Sequence, residues 1–415
     1  MTNYTKKLGV VVTTVAIVAN GFLPAAAFAD TTLTVTGNGA DSKNGVVTSV
    51  SQTTTVNQNN NANFTNNISG NANTGDNDAN KNTGGDVNVK TGDSSVDVSV
   101  SNSANQNQAA IDCCASNGNT TVTVSGNGAD SENAVQHNSE SKNSVNQNNN
   151  ANFDNNIKYI DSETGNNDAS KNTGGNVSVE TGDASVKVAV SNWANANSAW
   201  IGGGNHDESG DVSLMILENG ADSDNSIKVG MESENTVDQD NDADFDNYIS
   251  GDSNTGDNDA NKNTGGEVMI ETGDASVDVT VDNMANFNWA DINCGCTTGD
   301  LTAKIAGNGY DSENAIQGEF ASAQEVEQDN DANFDNNVKH LDAETGNNDS
   351  DKNTGYEGSD PSIETGDADT TVAVENSANM NSVGGEGPEW PEMNVGGVHV
   401  SLDFDLGDLL DALGL

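Results

Sequence analysis

Asp76, Asp78, Asn80 and Asn82 set four hard oxygen donors at alternating positions of a glycine-rich loop, and Asp257, Asp259, Asn261 and Asn263 repeat them 181 residues later. Oxygen donors spaced in this way suit calcium, the one cofactor these residues suggest. The fit to an EF-hand loop is incomplete, since Lys81 stands where the turn glycine belongs and Val87 where the closing glutamate belongs. The Gly-Gly-x-Gly-x-Asp calcium signature is missing as well. The competing reading is that Asp and Asn here bond their own backbone and make turns. Asp238, Asp240, Asp242, Asp244 and Asp246 form a second, more diffuse acidic row, which repels itself unless cations intervene.

Other chemistry has little footing. His137, His206, His340 and His399 sit in unlike contexts, and no Ser or Cys lies in a nucleophile motif. The Asn-Thr-Gly-Gly loops lack the Gly-Lys-Ser/Thr ending of a phosphate cradle. With 65 acids, 14 Lys, no Arg and a formal net charge of −51, the chain repels nucleic acid, anionic lipid and acidic polysaccharide alike. The sequence therefore predicts no enzyme and no nucleic-acid partner. Lys81, Lys171, Lys262 and Lys352 recur between Asn or acidic neighbours and are read as neutralising their loops, with an isopeptide bond as the alternative. The disulfide candidates Cys113, Cys114, Cys294 and Cys296 fall in corresponding loops. Local bridges are favoured over one between loops, although adjacent cysteines, with Cα atoms about 3.8 Å apart, would bridge with strain.

All these residues belong to a segment written four times, beginning near Gly37, Gly126, Glu218 and Gly307 at spacings of 89, 92 and 89 residues. Between copies, one parity stays constant: Val56, Gln58, Asn60, Ala62, Phe64, Asn66, Ile68 return as Val145 to Ile157, Val237 to Ile249 and Val326 to Val338. The other parity drifts from Asn57, Asn59, Asn61, Asn63 and Thr65 to the acidic row at Asp238 to Asp246. One constant and one drifting face at period two mark a β-strand with a buried side. Strict register through the copies argues against the disorder that the composition alone would suggest.

Within each block an apolar lead-in turns at Gly-Asn-Gly into this long strand, followed by an Asn/Asp/Gly loop such as Thr74 to Gly85 and a short strand such as Val87 to Val89. A Thr-Gly-Asp turn then leads to a Val-rich strand, Val96, Val98, Val100, Asn102 and Ala104 in the first block. Blocks one and three share Ile68-Ser69-Gly70 and Ile249-Ser250-Gly251, where blocks two and four read Ile157-Lys158-Tyr159-Ile160 and Val338-Lys339-His340-Leu341. The last duplication thus copied a pair of blocks. Acids rise from 7 in residues 37–125 to 20 in residues 218–306.

Amides on a buried face each need a partner, and stacked coils supply one by setting identical amides about 4.8 Å apart. The expected fold is therefore all-β, a repetitive β-solenoid of four blocks forming a stiff rod, with four tandem β-sandwich domains as the alternative. The Val-x-Gln-x-Asn-x-Ala face resembles the amide-lined interior of curlin-type repeats, and residues 31–381 resemble Asn/Gly/Asp-rich repeat proteins of bacterial cell surfaces in composition and architecture. Lys6 and Lys7, the apolar run from Leu8 to Ala19 and Ala27-Phe28-Ala29 read as a secretory signal peptide. The division is then 1–29 signal peptide, 30–125, 126–217, 218–306 and 307–381 repeat blocks, and 382–415 a loop and cap. No membrane insertion is expected once the leader is cut.

The expected role is a secreted, extracellular structural or surface-display protein. The alternative is a calcium-dependent adhesin that binds a cell-surface glycan or protein through its acidic face or inter-block loops, Trp193, Trp200 and Trp289 included. Self-association is the remaining partnership.

Overall fold

Each copy of the repeat forms one coil of a parallel β stack, and the second, third and fourth coils open on lead-in strands that lie just before the block starts at 126, 218 and 307. The computed structural model describes residues 30–112, 118–202, 210–294, 300–356 and 358–385 with their side chains, and residues 6–16, 393–395 and 398–400 as backbone. In the predicted leader, β1 (Lys6–Ala16) is a strand. The first coil comprises β2 (Thr31–Thr36), β3 (Lys43–Asn73), β4 (Val87–Lys90) and β5 (Ser94–Asp112). The second comprises β6 (Thr120–Ser125), β7 (Glu132–Glu163), β8 (Val177–Glu180) and β9 (Ala184–Gly202). The third holds β10 (Val212–Leu217), β11 (Asp224–Asn254), β12 (Val268–Glu271) and β13 (Ala275–Asn293). The fourth holds β14 (Leu301–Ala306), β15 (Glu313–Glu344), β16 (Ser362–Glu364) and β17 (Ala368–Val383).

Corresponding strands pair in parallel, giving the orders β2-β6-β10-β14, β3-β7-β11-β15, β4-β8-β12-β16 and β1-β5-β9-β13-β17. Val56 therefore lies against Val145, Val145 against Val237 and Val237 against Val326. Such pairing between blocks excludes four separate sandwich domains and makes the fold an all-β, solenoid-like repeat. The proportions differ from the expected rod along the stacking axis. Four strands at about 4.8 Å span only about 14 Å, whereas a strand as long as β3 reaches on the order of 100 Å. The long dimension follows the strands.

Within a coil, β3 forms one layer, and β5 returns along its second half as the other. Val96, Val98 and Val100 pack with Ile157 and Ile160, while Ala104 packs with Ala62 and Phe153. Residues 113–117, 203–209 and 295–299, between one coil and the next in the sequence, lie outside the described residues. The next lead-in strand then covers the first half of the long strand, as Val122 and Val124 do with Val135. Phe64, Phe153, Phe245 and Phe334 form one column with ring centroids 4.9, 4.6 and 5.2 Å apart.

Two irregularities redirect side chains. Asn105, Asn195, Asn286 and Asn379 all adopt positive φ and stand outside the ladder, so that pairing passes from Ala104–Ala194 to Gln106–Ala196. This bulge flips the inward parity, and β5 continues past Ala104 with Asn107, Ala109 and Ile111 buried. The second bulge explains the paired blocks: Tyr159 and His340, at positive φ, are the extra residues that coils two and four carry at a step where coils one and three have none. Of the predicted cap, the antiparallel hairpin β18 (Met393–Val395) and β19 (Val398–Val400) is described, and the leucines from Leu406 to Leu413 lie outside the described residues.

Stacking also dictates where glycine must stand. A Cβ on Gly165 would fall inside the radius of Gly256 O in the next coil, whereas one on Gly45 would meet nothing within 4 Å. Gly165→Ala is expected to cost about 3 kcal/mol or more through forced separation of coils, and Gly45→Ala less than about 0.5 kcal/mol. Urea unfolding of the two variants checks the difference.

Candidate functional site

The loops predicted to hold calcium close one end of each coil, and their backbone is itself stacked. Asp78, Asp168, Asp259 and Asp349 form successive parallel bridges, as do Thr83, Thr173, Thr264 and Thr354. Asp76 and Asp257 occupy positive φ, shared by Asn166 and Asn347 in the other coils. Their carboxylates accept from the amides of Asn73 and Asn254 at 2.8 and 2.9 Å. Asp78 accepts from the N–H of Asn80 at 3.1 Å, and Asp259 from the side chain of Asn261 at 3.2 Å. Asn80 donates to Asp168 at 2.6 Å, Asn82 donates to Ala79 O at 2.9 Å, and the N–H groups of Asn82 and Asn263 donate to Asn172 and Asn353 at 2.8 and 2.7 Å. The predicted donors thus make turns and link coils. Among the described residues, no three His, Cys, Asp or Glu side chains gather around a point fit for a metal.

These loops contain a checkerboard that the spacing alone had left unexplained. Coil one presents Asn73 with Asp76, coil two Glu163 with Asn166, coil three Asn254 with Asp257, and coil four Glu344 with Asn347. Asn73 donates to Glu163 in the next coil at 2.7 Å. Glu163 thus meets an amide of the first coil, and either position carries a carboxylate only in every second coil, about 9.6 Å apart. Burial and then the diagonal neighbours Asp76, Asp252 and Asp257 still raise the pKa of Glu163.

The Thr-Gly-Asp turn is a clasp. Thr74 Oγ1 donates to Gly92 O at 2.8 Å, and Thr164 Oγ1 to Gly182 O at 2.8 Å, tying the loop to the turn within a coil. Gly182 N–H donates to Thr91 Oγ1 at 3.0 Å, and Asp183 N–H to Asp93 Oδ1 at 3.2 Å, tying the turn to its neighbour in the previous coil. Lys81, Lys171, Lys262 and Lys352 all adopt positive φ, so the loop uses them at tight left-handed corners. Only Lys352 forms an ion pair there among the described residues, with Asp351.

The interior is occupied by amides bonded across and along the stack. Asn60 donates to Asn107 at 2.7 Å across the core and to Asn149 at 3.1 Å in the next coil, and Asn149 donates in turn to Asn197 and Asn241 at 2.7 and 3.0 Å. Asn66, Asn102, Asn155 and Asn192 form a second zigzag. Gln147 donates to Gln58 Oε1 at 2.7 Å and to Ser198 O at 2.9 Å. His137 faces the same interior, with Nδ1 2.8 Å from Thr48 Oγ1, and burial lowers its pKa.

Three expectations fall elsewhere. Trp193 and Trp200 lie within β9 and Trp289 within β13 rather than on inter-block loops; Trp193 and Trp289 are only 2 % and 1 % exposed, and Trp193 packs with Ala196 and Phe287 in a cluster apart from the interior columns. Cys294 is disulfide-bonded, with its partner outside the described residues, as are Cys113, Cys114 and Cys296. His206 also lies outside them.

On the outer face acids stack on acids. Burial first, then the carboxylates of Asp329, Asp238 and Asp242, raise the pKa of Asp240. Burial, followed by Asp161 and Asp342, raises that of Asp252, and burial with Asp168 and Asp349 that of Asp259. A carboxylate with a raised folded pKa binds more protons folded than unfolded, so stability falls as pH rises through that value. His137 acts oppositely, since acidification through the ordinary histidine range protonates the unfolded chain preferentially.

The melting temperature is expected to rise as pH is lowered from neutral toward the ordinary carboxylate range, less so in high salt, as a pH series of thermal melts would show. Asn149→Leu, which leaves Asn60, Asn107, Asn197 and Asn241 each short of a partner, should cost about 3 kcal/mol or more. Asn150→Ala, one residue away on the outer face, should cost about 0.5 kcal/mol. Denaturant titrations of the pair would test the assigned parity. In comparisons with protein-family models, curated proteins and solved structures, nothing matches this chain.

Proposed function

We propose that the chain is a secreted structural or surface-display element of a bacterial cell surface, an Asn/Gly/Asp-rich repeat protein without catalytic activity. The observation that carries this reading is where the polar side chains are used. The interior amides, the Thr-Gly-Asp turns and the loop Asp and Asn residues all bond coil to coil, so the repeated polar chemistry serves cohesion. The leader-like first 29 residues and the strongly acidic exterior suit a chain exported and kept soluble outside the cell.

A second reading, a calcium-dependent adhesin, draws support from the acidic columns at Asp240, Asp252 and Asp259, whose neighbouring carboxylates would be relieved by a cation. Protease treatment and antibody labelling of intact producing cells test the first reading. Surface-accessible chain starting near Asp30 is expected, and retention inside the cell as unprocessed chain would overturn it. A melting temperature raised by millimolar calcium, together with chelator-sensitive glycan binding, would move the balance to the adhesin.

A further inference from the structure

The stack ends at two unlike faces. Among the described residues, no strand pairs with the free side of β14, β15, β16 or β17. That edge leaves Ile316 54 %, Phe320 64 % and Val372 47 % exposed, large apolar groups that an isolated protein would rarely display together. At the other end β1 pairs in parallel with β5, from Lys6 opposite Ser94 to Ala16 opposite Ala104. In the interior of the stack this same stretch of each coil is paired by the coil beside it, Ser94 by Ala184 and Ala275 by Ala368. The predicted leader thus takes, beside β5, the place that one strand of a preceding coil would hold, while β2, β3 and β4 end their sheets on that side among the described residues.

We propose that, once the leader is removed, the fourth-coil edge of one molecule docks in parallel register on the first-coil edge of a second copy, building filaments head to tail. This goes beyond a structural role by naming the partner and the surface. Three independent features make the two edges complementary.

The first is amide polarity. In the columns of Asn60, Asn66, Asn102, Asn105 and Asn107, each side chain donates toward the higher-numbered coil, ending at Asn330, Asn336, Asn376, Asn379 and Asn381. The glutamine column runs the other way, from Gln328 back to Gln58. A fourth coil set on a first coil continues every column donor to acceptor. Two fourth coils face to face would set donor against donor.

The second is charge. Lys43 pairs with Glu132 at 2.9 Å and Lys90 pairs with Glu180, and these columns continue through Asp224 and Glu271 to Glu313 and Glu364 at the open edge. Docking head to tail brings Glu313 beside Lys43 and Glu364 beside Lys90 of the next copy. It also sets Glu327, Asp329 and Asp331 against Asn57, Asn59 and Asn61, an acid–amide contact already present inside the chain between Asn333 and Asp244 at 2.9 Å. Asp349 against Asp78, Asp311 against Asp41, Asp367 against Asp93 and Lys352 against Lys81 remain like-charged, as their columns are within one copy.

The third is alternation. With four coils, Glu344 and Asn347 of one copy meet Asn73 and Asp76 of the next, and the bulged coil at His340 meets the unbulged first coil, so both two-coil patterns continue unbroken. A contact between different faces that repeats without closing forms a filament rather than a dimer.

The test uses the full chain with a site-specific protease sequence inserted between Ala29 and Asp30. Before cutting, the chain should sediment as a monomer. After cutting it should form filaments that advance about 19 Å per molecule, four strand spacings. A cut chain that stays monomeric, or stops at dimers, overturns the proposal. Lys43→Glu with Lys90→Glu, both at exposed positions, should weaken association at least about tenfold while leaving the circular dichroism spectrum unchanged. Adding Glu313→Lys and Glu364→Lys in the same chain should restore it. Assembly indifferent to the first pair, or no recovery with the second, would overturn the head-to-tail register. Surface location and filament formation are read separately, so one can fail without the other.

Discussion

The whole fold depends on one constraint, that each side chain has its own counterpart about 4.8 Å away in the next coil. Few polar groups tolerate meeting themselves. An amide does, because it carries a donor and an acceptor that align along the stacking direction. Asn60, Asn149, Asn241 and Asn330 can therefore occupy a core where a lone amide would be costly, and each also crosses to the opposite layer at Asn107, Asn197, Asn288 and Asn381. Phenylalanine and valine satisfy the same constraint by dispersion, as the column from Phe64 to Phe334 does.

The same constraint explains the turns. Backbones of neighbouring coils approach so closely at Gly75, Gly165 and Gly256 that a Cβ has no room. Where the chain must turn left-handed but space remains, Asp, Asn and Lys serve, and their side chains or N–H groups bond the adjoining coil. The loop Asp and Asn residues that offer oxygen donors within one copy thus also bond coil to coil as rungs.

Carboxylates are the residues that tolerate the constraint least. Alternation of acid and amide through Asn73, Glu163, Asn254 and Glu344 keeps carboxylate from stacking directly on carboxylate at that position, although Glu163 still feels Asp76 and Asp257 across the diagonal. On the exposed face no such alternation relieves the stack of Asp240 and Asp329, and raised pKa values are the result. Self-pairing holds the interior together, and self-repulsion marks the exterior.

Much of this was legible in the residues themselves. Period-two constancy from Val56 to Ile68 identifies a buried face, and amides on that face call for identical neighbours, because nothing else in a repeated chain satisfies them so regularly. That determined an all-β stack with an amide interior. The sequence could not show that one block makes a single coil, because a block of several strands can close on itself or on its copies equally well, and only register between distant strands separates the two. Nor could it show that β5 runs on beyond Ala104, since the left-handed Asn105 looks like any other asparagine until its backbone is seen. Trp193 and Trp289 are buried on the parity opposite Asn192 and Asn288, so the inward pattern of their strands does not mark them. Local pattern settles which side of a strand is buried. What buries it, and whether a loop of oxygens converges on an ion or on the next coil, is decided by tertiary contacts between residues some ninety positions apart.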